Sequence, residues 1–179
     1  MLFRSGDATR LTRLDAQQAG HRFPKWLPDG KHFLYYSPGS PQQRGIYVGE
    51  AGGPGAARVV DSESAAVYLP AGYLLFVRGG TLFAQRFDVT TLQVSGASLP
   101  VADHVAVDAY GAALSGSLTG TIIFRTGTGG GAPRQFVWID RTGKEMERVG
   151  EPDANKPVHP ALSAGGRRIA YQQIGRAHV

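Results

Sequence analysis

The chain has no cysteine in its 179 residues, which excludes disulfides and thiolate zinc sites and leaves its compartment open. Charge is sparse, with 18% Asp, Glu, Lys and Arg, and it is dispersed. The formal charge of +5 comes mostly from arginines at Arg4, Arg10, Arg13, Arg44, Arg58, Arg78, Arg86 and onward, of which only Arg167 and Arg168 are adjacent. A nucleic-acid site needs basic residues clustered on one face with aromatics placed for stacking, so no nucleic-acid partner is expected. Long apolar runs are missing too. The longest, Tyr73 to Val77, is far too short to cross a bilayer, and MLFRSGDATR lacks the apolar core of a signal peptide. No membrane segment is expected, and no stretch carries the periodicity of a long helix.

What the chain has is 25 Gly and 11 Pro in a composition that is 42% hydrophobic. That mixture suits many short strands joined by turns, in a chain long enough for a real core. The clearest stretch is FPKWLPDGKHFLYYS, Phe23 to Ser37. Pro28 presets one backbone torsion, Asp29 can bond to the backbone ahead of it, and Gly30 tolerates positive φ, so the trio is a turn. Phe33, Leu34, Tyr35 and Tyr36 are β-formers that suit a strand buried on both faces.

Taken in order, Leu2 to Arg4 and Thr9 to Leu14 read as strands around a turn at Ser5-Gly6-Asp7. After the opening stretch come GIYVGE (Gly45 to Glu50), a glycine-rich turn, and Arg58-Val59-Val60. A second round follows as AAVYLPAG, YLLFVRGG, TLFAQRFD and, after a loop, LPVAD. The third is AALSGSLTG, TIIFRTG, RQFVWIDRTGK and MERVGE, and a fourth begins with HPALSAGG and RRIAYQQ. The turn glycines Gly30, Gly72, Gly120 and Gly166 are spaced by about 42, 48 and 46 residues, and a period of roughly 40–50 residues with four strands each marks propeller blades.

The fold class expected is therefore all-β: a partial, open β-propeller of four-stranded antiparallel blades over residues 1–173. Residues 1–14 end one blade, 15–64, 65–110 and 111–154 form full blades, and 155–173 begin another. Residues 65–70, 73–78, 81–87 and 99–102 should make one sheet, with 112–149 as the next and Phe76 and Phe83 buried between sheets. The outermost sheet faces of such a segment are expected to lie bare. The last six residues, IGRAHV, break the pattern. ATCGGAAGAGCACACGTC encodes them and resembles a sequencing-adapter read-through, so residues 174–179 are expected not to belong to the natural protein.

At HRFPKWLPDGKHFLYYS, GIYVGE, GYLLFVRGGTLFAQRFD, LTGTIIFR, FVWIDRTGK and ALSAGGRRIAY, the chain resembles the TolB-type, WD-repeat-like propellers found C-terminal to bacterial serine/threonine protein kinases. The resemblance covers about residues 1–173. In the fourth repeat Ala164-Gly165-Gly166 stands where Pro-Asp-Gly is the family pattern, which weakens that turn. In that family a kinase domain and a membrane span precede the propeller, so the resemblance implies a periplasmic or extracytoplasmic location. Kinase activity carries over to no residue here. The chain has no nucleotide-binding glycine loop on a strand, no Val-Ala-x-Lys, no His-Arg-Asp loop and no Asp-Phe-Gly, and Asp140-Arg141 falls in a strand-turn context.

The remaining candidates for chemistry resolve into structure. Gly127 to Ala132 fits a loose G-x-G-x-x-A, but a strand follows where a dinucleotide site needs a helix. His21, His32, His104, His159 and His178 show no metal spacing, and His21 and His159 occupy equivalent repeat positions, which points to a structural role. Ser115 and Ser117 lie on a small-residue strand with no nucleophile elbow. Asp29, Asp88 and Asp140 sit beside turns and suit local backbone donors. Trp26, Phe33, Tyr35, Phe76, Phe83, Phe87, Phe136 and Trp138 read as filling between sheets. No catalytic, cofactor-binding or metal residue is expected. The function read here is non-catalytic binding of an unknown protein or small ligand on the loop face, as the sensory or scaffolding part of a signalling protein. The alternative is a propeller that gates a separate serine peptidase or hydrolase domain.

Overall fold

The computed structural model describes residues 10–16, 18–53, 55–108, 111–127, 134–140, 144–153 and 158–172. The strand expected at Leu2 to Arg4, most of the Gly127 to Ala132 loop and the IGRAHV tail lie outside them. The described residues are all-β, with no helix. Two four-stranded antiparallel sheets come first. One joins β1 (Arg22–Trp26), β2 (His32–Ser37), β3 (Gly45–Glu50) and β4 (Ala56–Val60) in sequence order, and the other joins β5 (Val67–Leu69), β6 (Tyr73–Arg78), β7 (Thr81–Asp88) and β8 (Gln93–Ala102). The segment expected as a strand before them is irregular where it is described, over residues 10–14.

The sheets are stacked in layers because β6 is apolar on both faces. Successive side chains of a strand point to opposite faces, so Leu74 and Phe76 turn one way and Leu75 and Val77 the other. Leu74 and Phe76 join Leu34, Tyr36, Ile46 and Val48 of the first sheet. Leu75 and Val77, with Leu69 and Leu82, join Val105 and Leu114 from the chain that follows. All four β6 side chains are fully buried. Phe23 adopts φ 57°, interrupts the β1–β2 ladder between Arg22 and Lys25, and packs against the first of these cores.

Beyond β8 the strands are shorter: β9 (Val107–Asp108) with β10 (Gly111–Ala112), β11 (Leu114–Gly116) with β12 (Ile122–Phe124), β13 (Arg134–Ile139) with β14 (Glu145–Asp153), and β15 (Val158–Leu162) with β16 (Ile169–Gln172). The single sheet expected over 112–149 is thus two hydrogen-bonded pairs. β12 has three residues, and the chain after it bonds back to 104–106: Ala106 N–H donates to the Arg125 carbonyl at 2.9 Å and Gly127 N–H to the His104 carbonyl at 2.8 Å. β8 differs in the other direction, beginning at Gln93 where a loop was expected. Its polar opening hides the strand, and Gly96, at φ 67°, accommodates the register shift opposite Ala84 and Arg86.

β11 lies beside both β5 and β15, the strands that open the units before and after it. A side chain at Gly116 on β11 would meet Leu69 of β5 at 2.6 Å and Val67 at 3.1 Å, so a bare backbone is what lets these strands approach. Leu162 N–H of β15 donates to Ser115 Oγ of β11 at 3.1 Å. The four turns that leave β1, β5, β11 and β15 share one geometry. The N–H groups of Gly30, Gly72, Gly120 and Gly166 donate to the carbonyls of Leu27, Leu69, Ser117 and Ser163 at 3.1, 2.9, 3.1 and 2.8 Å, and each glycine has φ between 67° and 87°. The missing Pro-Asp does not open the fourth turn, because Ser163 Oγ accepts from Arg168 N–H at 3.1 Å. Asp29 does the same service in the first turn, accepting from Lys31 N–H and His32 N–H at 3.0 Å each. Those bonds, with the His32 ring at 2.6 Å, hold the Asp29 carboxyl down at about 2.

Phe76 meets the expectation of burial, but Phe83 is only half-buried. Its ring packs against the core between the first two sheets and stacks on Phe76 at 5.8 Å, and the Arg78 guanidinium lies 4.9 Å from its centroid, so the burial is shared between apolar neighbours and a cation. Phe76→Ala should therefore cost about 3–5 kcal/mol and Phe83→Ala about 1–2 kcal/mol, measured by urea denaturation. Equal losses would contradict this layering.

Candidate functional site

The outer face of the first sheet is not bare. Phe33 and Tyr35 alternate with the core residues Leu34 and Tyr36 and so point away from the second sheet, yet each is 3% exposed. Trp26 meets Phe33 edge-on at 5.4 Å, and the His21 ring lies 4.4 Å from that of Tyr35. Trp26 was expected between sheets. It is instead 59% exposed, serving as a lid on Phe33. Tyr35 and Tyr47 stack across the β2–β3 pair at 5.6 Å, and a side chain at Gly49 would strike the Phe33 ring at 2.9 Å.

Residues 10–15 and 18 run across this face and close a groove of about 830 Å³, lined among others by Arg10, Arg13, Asp15, Tyr35, Tyr47 and Gly49. His21 ties that segment down. The Gln18 amide oxygen can only accept, so His21 Nε2–H donates to it at 2.9 Å, and Nδ1 accepts from the Thr12 hydroxyl at 2.8 Å. Both bonds are met by the neutral ring. Burial lowers the His21 pKa, opposed by the Asp15 carboxylate. Burial likewise pushes the Tyr35 hydroxyl up to about 12, so it stays protonated at the groove floor. The Tyr47 hydroxyl donates to the Gln43 carbonyl at 2.8 Å.

The other residues singled out in the sequence do local work. Ser117 Oγ accepts from Thr121 N–H at 3.0 Å, and Ser115 bridges to β15. Asp88 accepts from Thr90 N–H at 2.7 Å and Thr91 N–H at 3.3 Å, and Asp140 from Lys144 N–H at 3.1 Å. His32 faces Asp29, and the His104 carbonyl serves Gly127. Several arginines are engaged locally: Arg58 bonds the Arg44 carbonyl and Arg44 lies near Asp61 and Glu63, while Arg86 covers Tyr73 at 4.9 Å. Phe136 is buried and its ring lies 5.2 Å from that of Tyr171. Among the described residues no group of three or more His, Asp or Glu could hold a metal ion, and no helix is long and apolar enough to cross a membrane. The groove escaped the sequence reading because its wall, residues 10–15 and 18, has no regular secondary structure. The one available signal was the alternation of aromatics at Phe33 and Tyr35 with the core residues.

No protein-family model matches the chain, and no curated protein matches it significantly.

The lowered His21 pKa sets a pH dependence. Above the ordinary histidine value of about 6.5 both folded and unfolded chains carry a neutral ring. As pH falls below it, the unfolded chain takes the proton first, so stability is lost. The urea midpoint should drop between pH 7.5 and 5.5, and His21→Gln should flatten that drop. An unchanged profile in the variant would contradict the clasp.

Proposed function

We propose that this chain is a ligand- or protein-binding segment of an open β-propeller with no catalytic residues of its own, the sensory or scaffolding part of a bacterial serine/threonine kinase-type signalling protein outside the cytoplasm. The observation that carries the architectural part is the β5–β8 sheet, apolar on both faces and covered on both, with β5, β11 and β15 side by side. This is the packing a blade has inside a ring. The four matching turns support reading the units as repeats. The signalling context rests on the sequence resemblance.

The binding reading draws on where polar groups are used. Ser115, Ser117, Asp29, Asp88, Asp140, His21 and His32 are engaged in turns and local contacts, whereas the groove over Tyr35 and Tyr47 is of a size that takes small ligands, roughly 300–1,000 Å³. Calorimetric titration with Mg-ATP and with Zn²⁺ should give no saturable signal below the micromolar range. A tight ATP or zinc site would overturn the non-catalytic reading. The surrounding gene checks the context: an upstream kinase and membrane span are expected, and a downstream hydrolase domain with a G-x-S-x-G elbow would replace the signalling role with gating.

A further inference from the structure

We propose that the groove between residues 10–15 and the first sheet binds a carboxylated sugar, with Arg10 and Arg13 holding the carboxylate and Tyr47 carrying the ring. The inference rests on the binding reading above and adds the site and the ligand class.

Charge comes first. Arg10 and Arg13 line the groove and are exposed, and among the described residues no carboxylate pairs with either. Arg44, Arg58, Arg78, Arg86 and Arg148, by contrast, each have an ion pair or a ring. Two guanidiniums against the single Asp15 carboxylate leave one net positive charge in the lining. It matches a monoanion better than a dianionic phosphate, and a guanidinium fork suits a carboxylate in geometry as well as charge.

Shape and the remaining chemistry narrow the ligand to a sugar. Tyr47 is half-buried and lines the groove beside Tyr35, so an aromatic surface is offered to a flat apolar face, and the C–H face of a pyranose is one. Asp15, with no hydrogen bond to its carboxylate among the described residues, can accept from ring hydroxyls. Gly49, Gly52, Gly53 and Gly55 project no side chains into the space, and Gly49 is held as glycine by the Phe33 ring. A purely apolar ligand would leave Arg10, Arg13 and Asp15 without partners, and a simple inorganic anion would leave the tyrosine floor unused.

The test is saturation-transfer NMR with the 179-residue chain, titrating glucuronate and glucose directly and reading inorganic phosphate by its displacement of glucuronate. Glucuronate should bind saturably, with transfer to its ring protons. Glucose and phosphate should each bind at least about tenfold more weakly, the loss of a charge-assisted contact or of the stacking surface. The exposed pair Arg10→Ala/Arg13→Ala should weaken glucuronate by at least about tenfold with no change in the unfolding midpoint, and Tyr47→Leu should remove the ring-proton transfer. No saturable glucuronate binding, binding equal to that of glucose or phosphate, or binding untouched by the arginine pair would each overturn the proposal. Those results leave the ATP and zinc titrations unaffected, so failure here and failure of the non-catalytic reading are separable.

Discussion

Leu74, Leu75, Phe76 and Val77 of β6 are consecutive and fully buried, and a strand cannot hide four side chains in a row unless apolar matter covers it from both sides. Each such side chain contributes about 1.5–3 kcal/mol on burial, so the four together rival the whole stability of an ordinary domain, about 5–15 kcal/mol. The rest of the layout depends on that requirement. The first sheet supplies Leu34, Tyr36, Ile46 and Val48 to one face, and Val105 and Leu114 supply the other. The backbone polar groups of β6 are met by β5 and β7 on either side, so the strand can be dry without stranded donors.

Layering of this kind asks for sharp reversals at the end of each first strand, and the chain solves the same geometric problem with different residues. A left-handed glycine closes all four turns. The acceptor for the backbone beyond it is a carboxylate in the first, Asp29, and a hydroxyl in the third and fourth, Ser117 and Ser163. Turn geometry is thus conserved within the molecule while turn sequence drifts. The outer face of the first sheet is finished by a different device. An irregular segment, fastened through His21, covers Tyr35 and leaves a groove beside it.

β6 and β7 were legible because apolar and aromatic β-formers and flanking glycines agree there; Tyr73 to Arg78 falls as expected and Thr81 to Asp88 extends by one residue. Legibility failed where the signals are not local. Gln93 to Ser98 reads as a loop because its residues are polar, and it is a strand because the β7 edge pairs with it. The third sheet reads as continuous because spacing carries no information about which backbone groups Arg125 to Gly127 will choose. Phe83 and Trp26 were assigned to sheet interfaces by residue type; Phe83 packs against that core only half-buried, beside an arginine, and Trp26 faces solvent. The groove depends on residues 10–15 and 18 meeting strands β2 and β3, a contact between a patternless segment and a patterned one.

The claim that β6 is the doubly covered centre of a layered stack is tested most directly by native-state hydrogen exchange resolved to single amides. The account predicts that the amides of Tyr73 to Arg78 exchange only through global unfolding, with a free energy equal to that from urea denaturation, while those of β14 and β16 exchange through smaller openings. If β6 amides exchanged by local opening, or no more slowly than those of β14, the two-sided burial on which the layering rests would be wrong.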